Sequence, residues 1–306
     1  MEKETIALVG SINRDTICTP DGVRIESYGG MLYGILSLIQ MSSVMVFPVG
    51  VVGADVKSAV MNLLDKWPQV NLSGLRFTSQ KNPHCVLTYD EAGNKQEVLH
   101  GGVSPVEFKQ IEPFLDCGAI CVNFITGSEL SLDTMQQVRS SRSKPIFMDV
   151  HSLTLTTGDG NRRYFRVPTR WESWVACADF IQCNEKEAVL LAGEPLLDED
   201  AVGRFGERVL ALGPVGLVIT RGGGGSCTIF RSPEGGITIR QCTAKSVGAV
   251  VDETGCGDVF LMGFALEFLR TGDLETASTF ANKVAGINCC LRGIEGIGQM
   301  GRFLAA

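Results

Sequence analysis

The sequence predicts an α/β fold with a largely parallel central sheet that is flanked by helices on both faces. Short apolar runs alternate along the chain with segments of helical length, and 44% of the residues are hydrophobic, enough for a large core. Parallel strands are buried on both faces and need helical crossovers, so they take the form of nearly continuous apolar runs between helices. No linker or low-complexity run divides the chain, and residues 1–306 are expected to form a single domain.

The individual elements follow from local patterns. Thr5–Gly10 is predicted to be a buried first strand, residues 44–52 a second strand interrupted by Pro48, and the amphipathic residues 55–67 a helix. The later predicted strands are 119–123, 145–149, 179–183, 216–220 and 226–230, and the helices between them are 132–142, 184–192 and 200–212. In such sheets ligands bind beyond the carboxyl ends of the strands, so polar residues at those ends are candidates for a site.

Two segments do not fit this alternation. Residues 85–89 and 96–100 flank a turn-rich stretch and predict a β-hairpin, whereas residues 14–28 are largely polar. One interpretation is that both segments decorate the surface. The other is that they form a small β lid that folds over a substrate site.

Composition argues against several classes of protein. The net charge is −7 and no basic run is present, so nucleic acid and anionic membranes are not expected as partners. The N-terminal residues lack the pattern of a secretory signal, and the apolar run at 44–52 is too short to span a bilayer. The 11 cysteines are scattered, without a Cys-x-x-Cys pair, and are expected to be free thiols in a reducing, cytoplasmic compartment.

The most informative stretch is residues 252–258, Asp-Glu-Thr-Gly-Cys-Gly-Asp, which runs directly into the apolar residues 259–269. Two glycines at a helix start let the backbone approach a ligand closely, and the free amides of a helix N-terminus bind anions. Asp258 would repel such an anion unless it accepts a proton, a layout suited to phosphoryl transfer to a hydroxyl group. The structural alternative is that the macrodipole alone favours an acid in the first turn.

Two further motifs have both a structural and a functional interpretation. Asn184 and Glu187 open a predicted helix with the spacing of a capping box, which by itself explains them. Residues 220–226, Thr-Arg-Gly-Gly-Gly-Gly-Ser, follow a predicted strand and could be an ordinary turn. They are not a P-loop, because no Gly-Lys-Ser/Thr follows, and not a dinucleotide fingerprint, because a strand follows them.

In their order and spacing these motifs resemble those of the ribokinase-like (PfkB) carbohydrate kinases, whose second signature matches the run at 252–258. The resemblance implies a ribokinase-like fold with a β lid from about residues 14–28 and 84–102. It also implies an ATP-dependent phosphotransferase acting on a small sugar or nucleoside. Asp258 would then be the general base, and the amides of Gly255, Cys256 and Gly257 would stabilise charge on the transferring group.

The resemblance also assigns residues to the donor and its ions. Asn184 and Glu187 would organise the Mg²⁺–phosphate environment, which suits the preference of Mg²⁺ for oxygen ligands and bound water. The loop carrying Asp252 and Thr254 would help to bind a monovalent cation such as K⁺. The expected nucleotide contacts are Thr220, Gly222 and Gly225, and Asn282 near the adenine, although Asn282 could equally be a solvent-facing residue.

On the substrate side the resemblance assigns Asp15 to the acceptor hydroxyls, with Gly29 and Gly30 as the paired glycines of the first signature. The family's usual Asn is replaced by Gly34, which argues against plain ribose or fructose. In the family's Asp-x-Asn-x-Arg motif His151 replaces Asn, and it is interpreted as a structural residue at a strand end.

These departures motivate an alternative hypothesis, a non-catalytic ligand sensor or regulatory protein on a kinase scaffold. The retained Asp258 argues against it, because a pure binder needs no base there. A homodimer formed through an exposed lid edge is a further expectation.

Overall fold

The computed structural model describes residues 4–92, 95–232, 234–245 and 247–305. These residues form fifteen strands and eleven α-helices. The strands are β1 Thr5–Gly10, β2 Ile12–Cys18, β3 Arg24–Gly30, β4 Met45–Gly53, β5 Leu75–Thr78, β6 His84–Tyr89, β7 Lys95–His100, β8 Ala119–Asn123, β9 Ile146–Asp149, β10 Leu155–Thr157, β11 Arg163–Phe165, β12 Phe180–Asn184, β13 Gly216–Thr220, β14 Ser226–Arg231 and β15 Ile237–Cys242. The helices are α1 Met31–Met41, α2 Lys57–Leu64, α3 Phe108–Ile111, α4 Leu132–Ser140, α5 Trp171–Val175, α6 Glu185–Ala192, α7 Glu199–Leu210, α8 Cys256–Thr271, α9 Leu274–Cys289, α10 Gly293–Ile297 and α11 Met300–Ala305.

Nine strands form the central sheet in the order β15-β14-β13-β12-β9-β8-β1-β4-β5. Neighbouring strands from β12 through β5 are parallel, as is the β12–β13 pair, whereas β14 is antiparallel to both of its neighbours. The predicted α/β fold with a largely parallel sheet is therefore confirmed. The carboxyl ends of β8, β9, β12 and β13 lie side by side, which brings distant parts of the sequence to one edge.

The core has two layers, one on each face of the sheet. Along β1, Ile6 and Leu8 belong to one buried cluster and Ala7 and Val9 to the other, as the two-residue period of a strand requires. Helix α8 packs in the first layer, where Phe264 meets Phe147 edge-on at 6.1 Å between ring centroids. This packing fixes α8 across the sheet and so determines where its first turn lies.

The expected β lid is present as a separate four-stranded sheet in the order β3-β2-β6-β7. Strand β2 pairs with β6 in parallel, and the other two pairs are antiparallel. Because β2 begins at Ile12, two residues after β1 ends, the lid is connected directly to a central strand. Residues 93–94, which belong to the predicted hairpin, lie outside the described residues.

Several elements differ from expectation. Helix α1 begins immediately after Gly30, in an apolar run without a clear helical period, because residues 31–39 are buried on all sides. Helix α2 is shorter than the predicted 55–67. The β10–β11 hairpin was not expected, and it is attached to β7 by a bridge between Val98 and Arg162. Within the described part of the chain, no helix combines the length and hydropathy needed to cross a membrane.

Candidate active site

A cavity of about 1410 Å³ lies between the lid and the carboxyl ends of the central strands. It is lined by lid residues, by the ends of β9, β12 and β13, by the glycine-rich loop after β13 and by the start of α8. This is the position at which open α/β sheets bind ligands. Its volume is sufficient for two substrates of moderate size.

The first turn of α8 forms one wall of this cavity. Gly255 is its N-cap residue, with a left-handed φ of 75°, and among the described residues no side chain caps this helix end. A Cβ atom on Gly255 would lie 2.1 Å from Cδ1 of Tyr33, whereas one on Gly257 would have no atom closer than 3.7 Å. Gly255, Cys256 and Gly257 all line the cavity. The turn therefore places backbone amides at the cavity wall, as an anion site at a helix start requires. The amide of Cys256 also makes a long hydrogen bond, 3.3 Å, to the carbonyl oxygen of Glu253.

Asp258 lies in the same turn and lines the same cavity. Its Oδ1 accepts a hydrogen bond from Nδ2 of Asn123, at the end of β8. Burial raises the pKa of Asp258 to about 6, although the Asn123 hydrogen bond and the charge of His151 act in the opposite direction. At neutral pH the group is mostly ionised and has the basicity expected of a proton acceptor.

Asp15 faces this turn from the lid. It is 5% exposed, and Nδ2 of Asn13 donates a hydrogen bond to it. Burial raises the pKa of Asp15 to about 7, with further contributions from the charges of Asp258 and Glu97. A Cβ atom on Gly29 would lie 2.2 Å from Oδ2 of Asp15, which explains why glycine occupies this position.

The paired glycines also make room for Asn13. A Cβ atom on Gly30 would lie 2.6 Å from Oδ1 of Asn13, and Gly30 has a φ of 64°. Because Gly29 and Gly30 have no side chains, β3 leaves room for the side chains of Asn13 and Asp15 on the neighbouring strand β2. Gly30 and both of these side chains line the cavity.

Three buried amide oxygens near the two aspartates have no hydrogen-bond partner within the part of the chain that is described. They are Oδ1 of Asn13, Oδ1 of Asn123 and Oε1 of Gln182. Buried polar atoms are normally paired, and an amide oxygen can only accept. Asn13 and Gln182 line the cavity, so their free oxygens and the two carboxylates form a site suited to a ligand with several hydroxyl donors.

A polar network joins the ends of β9 and β12 to α8. Nε2 of Gln182 donates to Oδ2 of Asp149 at 2.8 Å and to the carbonyl oxygen of Gly257 at 3.0 Å. Oδ1 of Asp149 accepts from the backbone amide of His151 at 3.0 Å. Burial, followed by the charge of Glu187, raises the pKa of Asp149 to about 7. The network fixes the position of the α8 turn relative to the sheet.

Asn184 and Glu187 form a complete capping box at the start of α6. Glu187 accepts from the amide of Asn184 at 2.8 Å, and its own amide donates to Oδ1 of Asn184 at 3.0 Å. Oε1 of Glu187 also binds Nδ1 of His151 at 2.6 Å. Burial lowers the pKa of His151, but the hydrogen bond and charge of Glu187 outweigh burial and raise it to about 9. His151 is therefore an imidazolium on the cavity wall.

The glycine-rich loop follows β13 as a short 3₁₀ turn at Gly222–Gly224. Gly225 has a φ of 88°, and a Cβ atom there would lie 2.0 Å from the carbonyl oxygen of Cys242. Thr220, Gly222 and Gly225 all line the cavity. The structure thus brings these loop residues to the same cavity as the α8 turn.

Asn282 lies on α9 and is 5% exposed, so it does not face bulk solvent. Its Nδ2 donates to Oγ of Ser226 at 2.7 Å and to the carbonyl oxygen of Ser278 at 2.9 Å. Both amide hydrogens are therefore committed to the protein. Asn282 still borders the cavity, and its contact with a base remains a prediction.

Asp252 and Thr254 stabilise the loop that precedes α8. Oδ1 of Asp252 accepts from the amide of Thr254 at 2.9 Å, and Oδ2 accepts from the amide of Gly293 at 3.0 Å. The carbonyl oxygen of Thr254 accepts from Nδ2 of Asn288 at 3.0 Å. Among the described residues no cluster of three or more His, Cys, Asp or Glu could hold a metal ion. The cation role of this loop remains a prediction.

Sequence reasoning missed three residues of the site, Asn13, Asn123 and Gln182, and interpreted a fourth, His151, as structural. Asn123, Gln182 and His151 lie within or just after a largely apolar strand, whereas Asn13 lies in the polar strand β2. A polar residue near the carboxyl end of a buried strand was the available signal. Their convergence depends on strand order, which no local pattern contains.

Comparison with known proteins assigns this chain to a family. Residues 3–296 match the sequence model of the pfkB family of carbohydrate kinases. The chain is similar to the cytidine kinase of Thermococcus kodakarensis, with 24% identity over 275 residues, or 88% of this chain and 90% of that protein.

Solved structures show the same fold. The ribokinase of Arabidopsis thaliana, in complex with ribose and ATP, has a TM-score of 0.79 at 18% identity and covers 100% of this chain and 98% of its own. A pyrophosphate-dependent kinase in the ribokinase family has a TM-score of 0.78 at 17% identity, covering 94% and 96%. With the family match spanning nearly the whole chain, these findings show that the protein is a small-molecule kinase with the ribokinase-like fold and belongs to the PfkB carbohydrate kinase family.

Proposed function

We propose that the protein transfers the γ-phosphoryl group of ATP to a hydroxyl group of a small sugar or nucleoside. The observation that carries this proposal is the placement of the Asp258 carboxylate. It lies beside the backbone amides of the α8 turn and faces the same cavity as Asp15. A base, an anion site and a hydroxyl-binding acid in one cavity are the components that phosphoryl transfer to an alcohol requires.

The residues act in a definite order. Asp15 and the free amide oxygens hold the acceptor hydroxyls, and the reacting hydroxyl donates to Asp258. As its oxygen bonds to the γ-phosphorus and the bond to the leaving oxygen of ADP breaks, Asp258 accepts the proton. The amides of Gly255, Cys256 and Gly257 stabilise charge on the transferring group. Positioning and electrostatics supply most of the rate enhancement in this chemistry.

Mg²⁺ is expected to neutralise phosphate charge when bound. The oxygens of Glu187 already accept hydrogen bonds from Asn184 and His151, which fits contact with the ion through water rather than direct coordination. A monovalent cation at the loop with Asp252 and Thr254 remains part of the proposal. A homodimer through the lid edge and a cytoplasmic location are also part of the proposal. The free thiols of all eleven cysteines are consistent with a cytoplasmic location.

ATP is preferred here over pyrophosphate as donor. Beyond the phosphate region the cavity continues between the glycine-rich loop and the side chains of Val250, Val251 and Ala285. Val250 and Val251 are adjacent in sequence, are 66% and 47% exposed and both line the cavity, so together they form an apolar surface there. A nucleoside base would cover this apolar wall, whereas pyrophosphate has no group to place there. We expect ATP to support turnover and pyrophosphate to fail, as read by product formation with each donor.

A nucleoside is preferred over a free sugar as acceptor. The inner face of the lid carries Asp15 near its base and Ile17, Ile25, Leu87 and Leu99 beyond it, all lining the cavity. A free pentose placed there would leave hydroxyl groups against apolar side chains, which is unfavourable. A nucleoside would place its ribose at Asp15 and its flat base against the apolar face. The similarity to a cytidine kinase is consistent with this choice.

We therefore expect Leu87→Ala to lower kcat/KM for the best nucleoside about tenfold, because roughly 1.5 kcal/mol of apolar contact is lost. The measurement is steady-state kinetics with ATP and a panel of ribonucleosides and free sugars. Thr88→Ala is the matched control, since Thr88 is exposed on the outer face of the same strand, and it should leave kcat/KM unchanged. A free sugar used with a higher kcat/KM than every nucleoside would reject the nucleoside assignment. Tight binding without turnover of any acceptor would favour the sensor hypothesis.

The pH dependence follows from the two aspartates. Asp258 accepts a proton only when it is ionised, and Asp15 accepts hydroxyl hydrogen bonds best as a carboxylate. Because their pKa values are raised to about 6 and about 7, kcat/KM should rise from pH 5 and reach a plateau near pH 8. Initial rates at saturating ATP across this range measure the profile. A maximum at pH 5 would contradict the assignment of Asp258 as the base.

A further inference from the structure

Two thiols meet at the edge of the α8 turn. Cys256 is the first residue of α8 and Cys289 is the last residue of α9, and their Sγ atoms are 2.8 Å apart. Both residues are partly exposed and line the cavity. We propose that this pair is an oxidation site, a dithiol that a peroxide converts reversibly into a disulfide, with loss of donor binding.

The surroundings hold the two sulfur atoms together. Nδ2 of Asn288 lies 3.2 Å from Sγ of Cys256, and the carbonyl oxygen of Ala285 lies 3.7 Å from it. Cys256 and Cys289 share one hydrogen bond, which keeps their sulfur atoms facing each other. A partly exposed cysteine with a second thiol beside it is the arrangement that peroxides oxidise to a disulfide.

The chemistry requires hydrogen peroxide and no other reagent. One thiolate sulfur attacks a peroxide oxygen, the O–O bond breaks, and the hydroxide that leaves takes up a proton to become water, giving a sulfenic acid. The second sulfur then attacks the sulfenic sulfur, the S–S bond forms, and hydroxide leaves with the second thiol's proton as water. The two thiols together lose two electrons, and one hydrogen peroxide molecule is reduced to two water molecules.

The cross-link would join three walls of the phosphate region. Cys256 contributes a backbone amide to the proposed anion site. The carbonyl oxygen of Cys289 accepts hydrogen bonds from the amides of Val251 and Asp252, at 2.7 Å and 3.1 Å. A disulfide has an S–S distance of about 2.05 Å and a restricted torsion about the bond, so forming it pulls the α8 turn toward the end of α9 and the 251–252 segment. The donor phosphates then lose the geometry that binds them.

The chain contains a matched control in the next residue. Cys290 is also partly exposed and lines the same cavity, but its Sγ donates to the carbonyl oxygen of Gly286 at 3.4 Å. Its sulfur is directed to a different partner, although its chemistry and accessibility are similar. Cys290→Ser therefore tests whether position, rather than the mere presence of an accessible thiol, determines the response.

The experiment treats the reduced protein with hydrogen peroxide, quenches with catalase and measures two quantities. Peptide mass spectrometry is expected to find the Cys256 and Cys289 peptides joined and lacking two hydrogen atoms. ATP affinity, by calorimetry, is expected to fall at least tenfold and to return with dithiothreitol. Wild type and Cys290→Ser should respond alike, whereas Cys289→Ser should keep its ATP affinity after peroxide.

Two results would overturn the proposal. One is the absence of a joined peptide in oxidised wild type. The other is an equal, dithiothreitol-reversible loss of ATP affinity in Cys289→Ser. Because neither readout depends on turnover of an acceptor, failure of this proposal is distinguishable from failure of the proposed kinase reaction.

Discussion

Replacing Asp258 by Asn is expected to lower kcat by about 10² to 10⁴-fold, the usual contribution of a positioned general base. Asparagine has the same shape, and its Oδ1 can still accept the hydrogen bond that Asn123 donates. It cannot accept the proton of the attacking hydroxyl. ATP affinity, measured by calorimetry, should therefore stay within a few fold of the wild-type value while turnover collapses.

The stability of this variant separates a chemical loss from unfolding. The folded pKa of Asp258 is raised to about 6 from an ordinary value of 3.8. Above pH 6 the folded protein therefore carries a buried, ionised carboxylate, which lowers its stability. Removing the charge should leave Tm at pH 8 equal to or above that of wild type. Asp133→Asn is the control, because Asp133 is an exposed acid in the first turn of α4. Near-normal turnover by Asp258→Asn would reject the base assignment.

The fold was predictable from the sequence because burial on both faces gives parallel strands a continuous apolar composition. Strands β8 and β13 were predicted with their observed bounds. Helix α1 was not, since a helix that is buried all round has no amphipathic period to detect. The β10–β11 hairpin was also missed. It carries exposed aromatic residues, with Tyr164 at 55% and Phe165 at 48%, and it is held by a non-local bridge to β7.

The candidate site was predictable only where its chemistry is contiguous in sequence. The α8 turn, the capping box and the glycine-rich loop are each local motifs. The hydrogen-bond partners of Asp149 and Asp258 are instead brought close to them by the register of neighbouring strands. Asn123 pairs with Asp149 between β8 and β9, and Asp149 pairs with Gln182 between β9 and β12. These pairings join residues that are far apart in the chain, so no motif could indicate them.

The same register explains why His151 was interpreted as structural. Two residues beyond Asp149, it lies where the chain turns away from β9, and from sequence alone a strand-end residue is the simpler reading. In the structure it contacts Glu187, whose other partners form the predicted capping box. A local cap and a distant imidazolium therefore share one carboxylate, which makes Glu187 part of the cavity wall as well as of the helix start.

Gly255→Ala is expected to be the most damaging substitution outside the general base. The residue has a φ of 75°, which costs an L-residue roughly 1–2 kcal/mol. The added Cβ would also lie 2.1 Å from the ring of Tyr33, a side chain that is 3% exposed in the core. Overpacking of this kind costs about 1–3 kcal/mol. The free energy of unfolding, measured by denaturant titration, should therefore fall by about 2–5 kcal/mol, the sum of both effects.

Gly272→Ala separates the two contributions at the other end of the same helix. Gly272 has a φ of 67°, but a Cβ atom there would meet nothing within 4 Å. It should lose only the conformational part, roughly 1–2 kcal/mol, and keep wild-type kcat. Gly255→Ala should in addition lose ATP affinity and at least a hundredfold in kcat/KM, because relieving the clash moves the amides that hold the phosphates. If both variants lost equal stability and both kept full activity, close packing of the α8 turn against Tyr33 would have no part in forming the anion site.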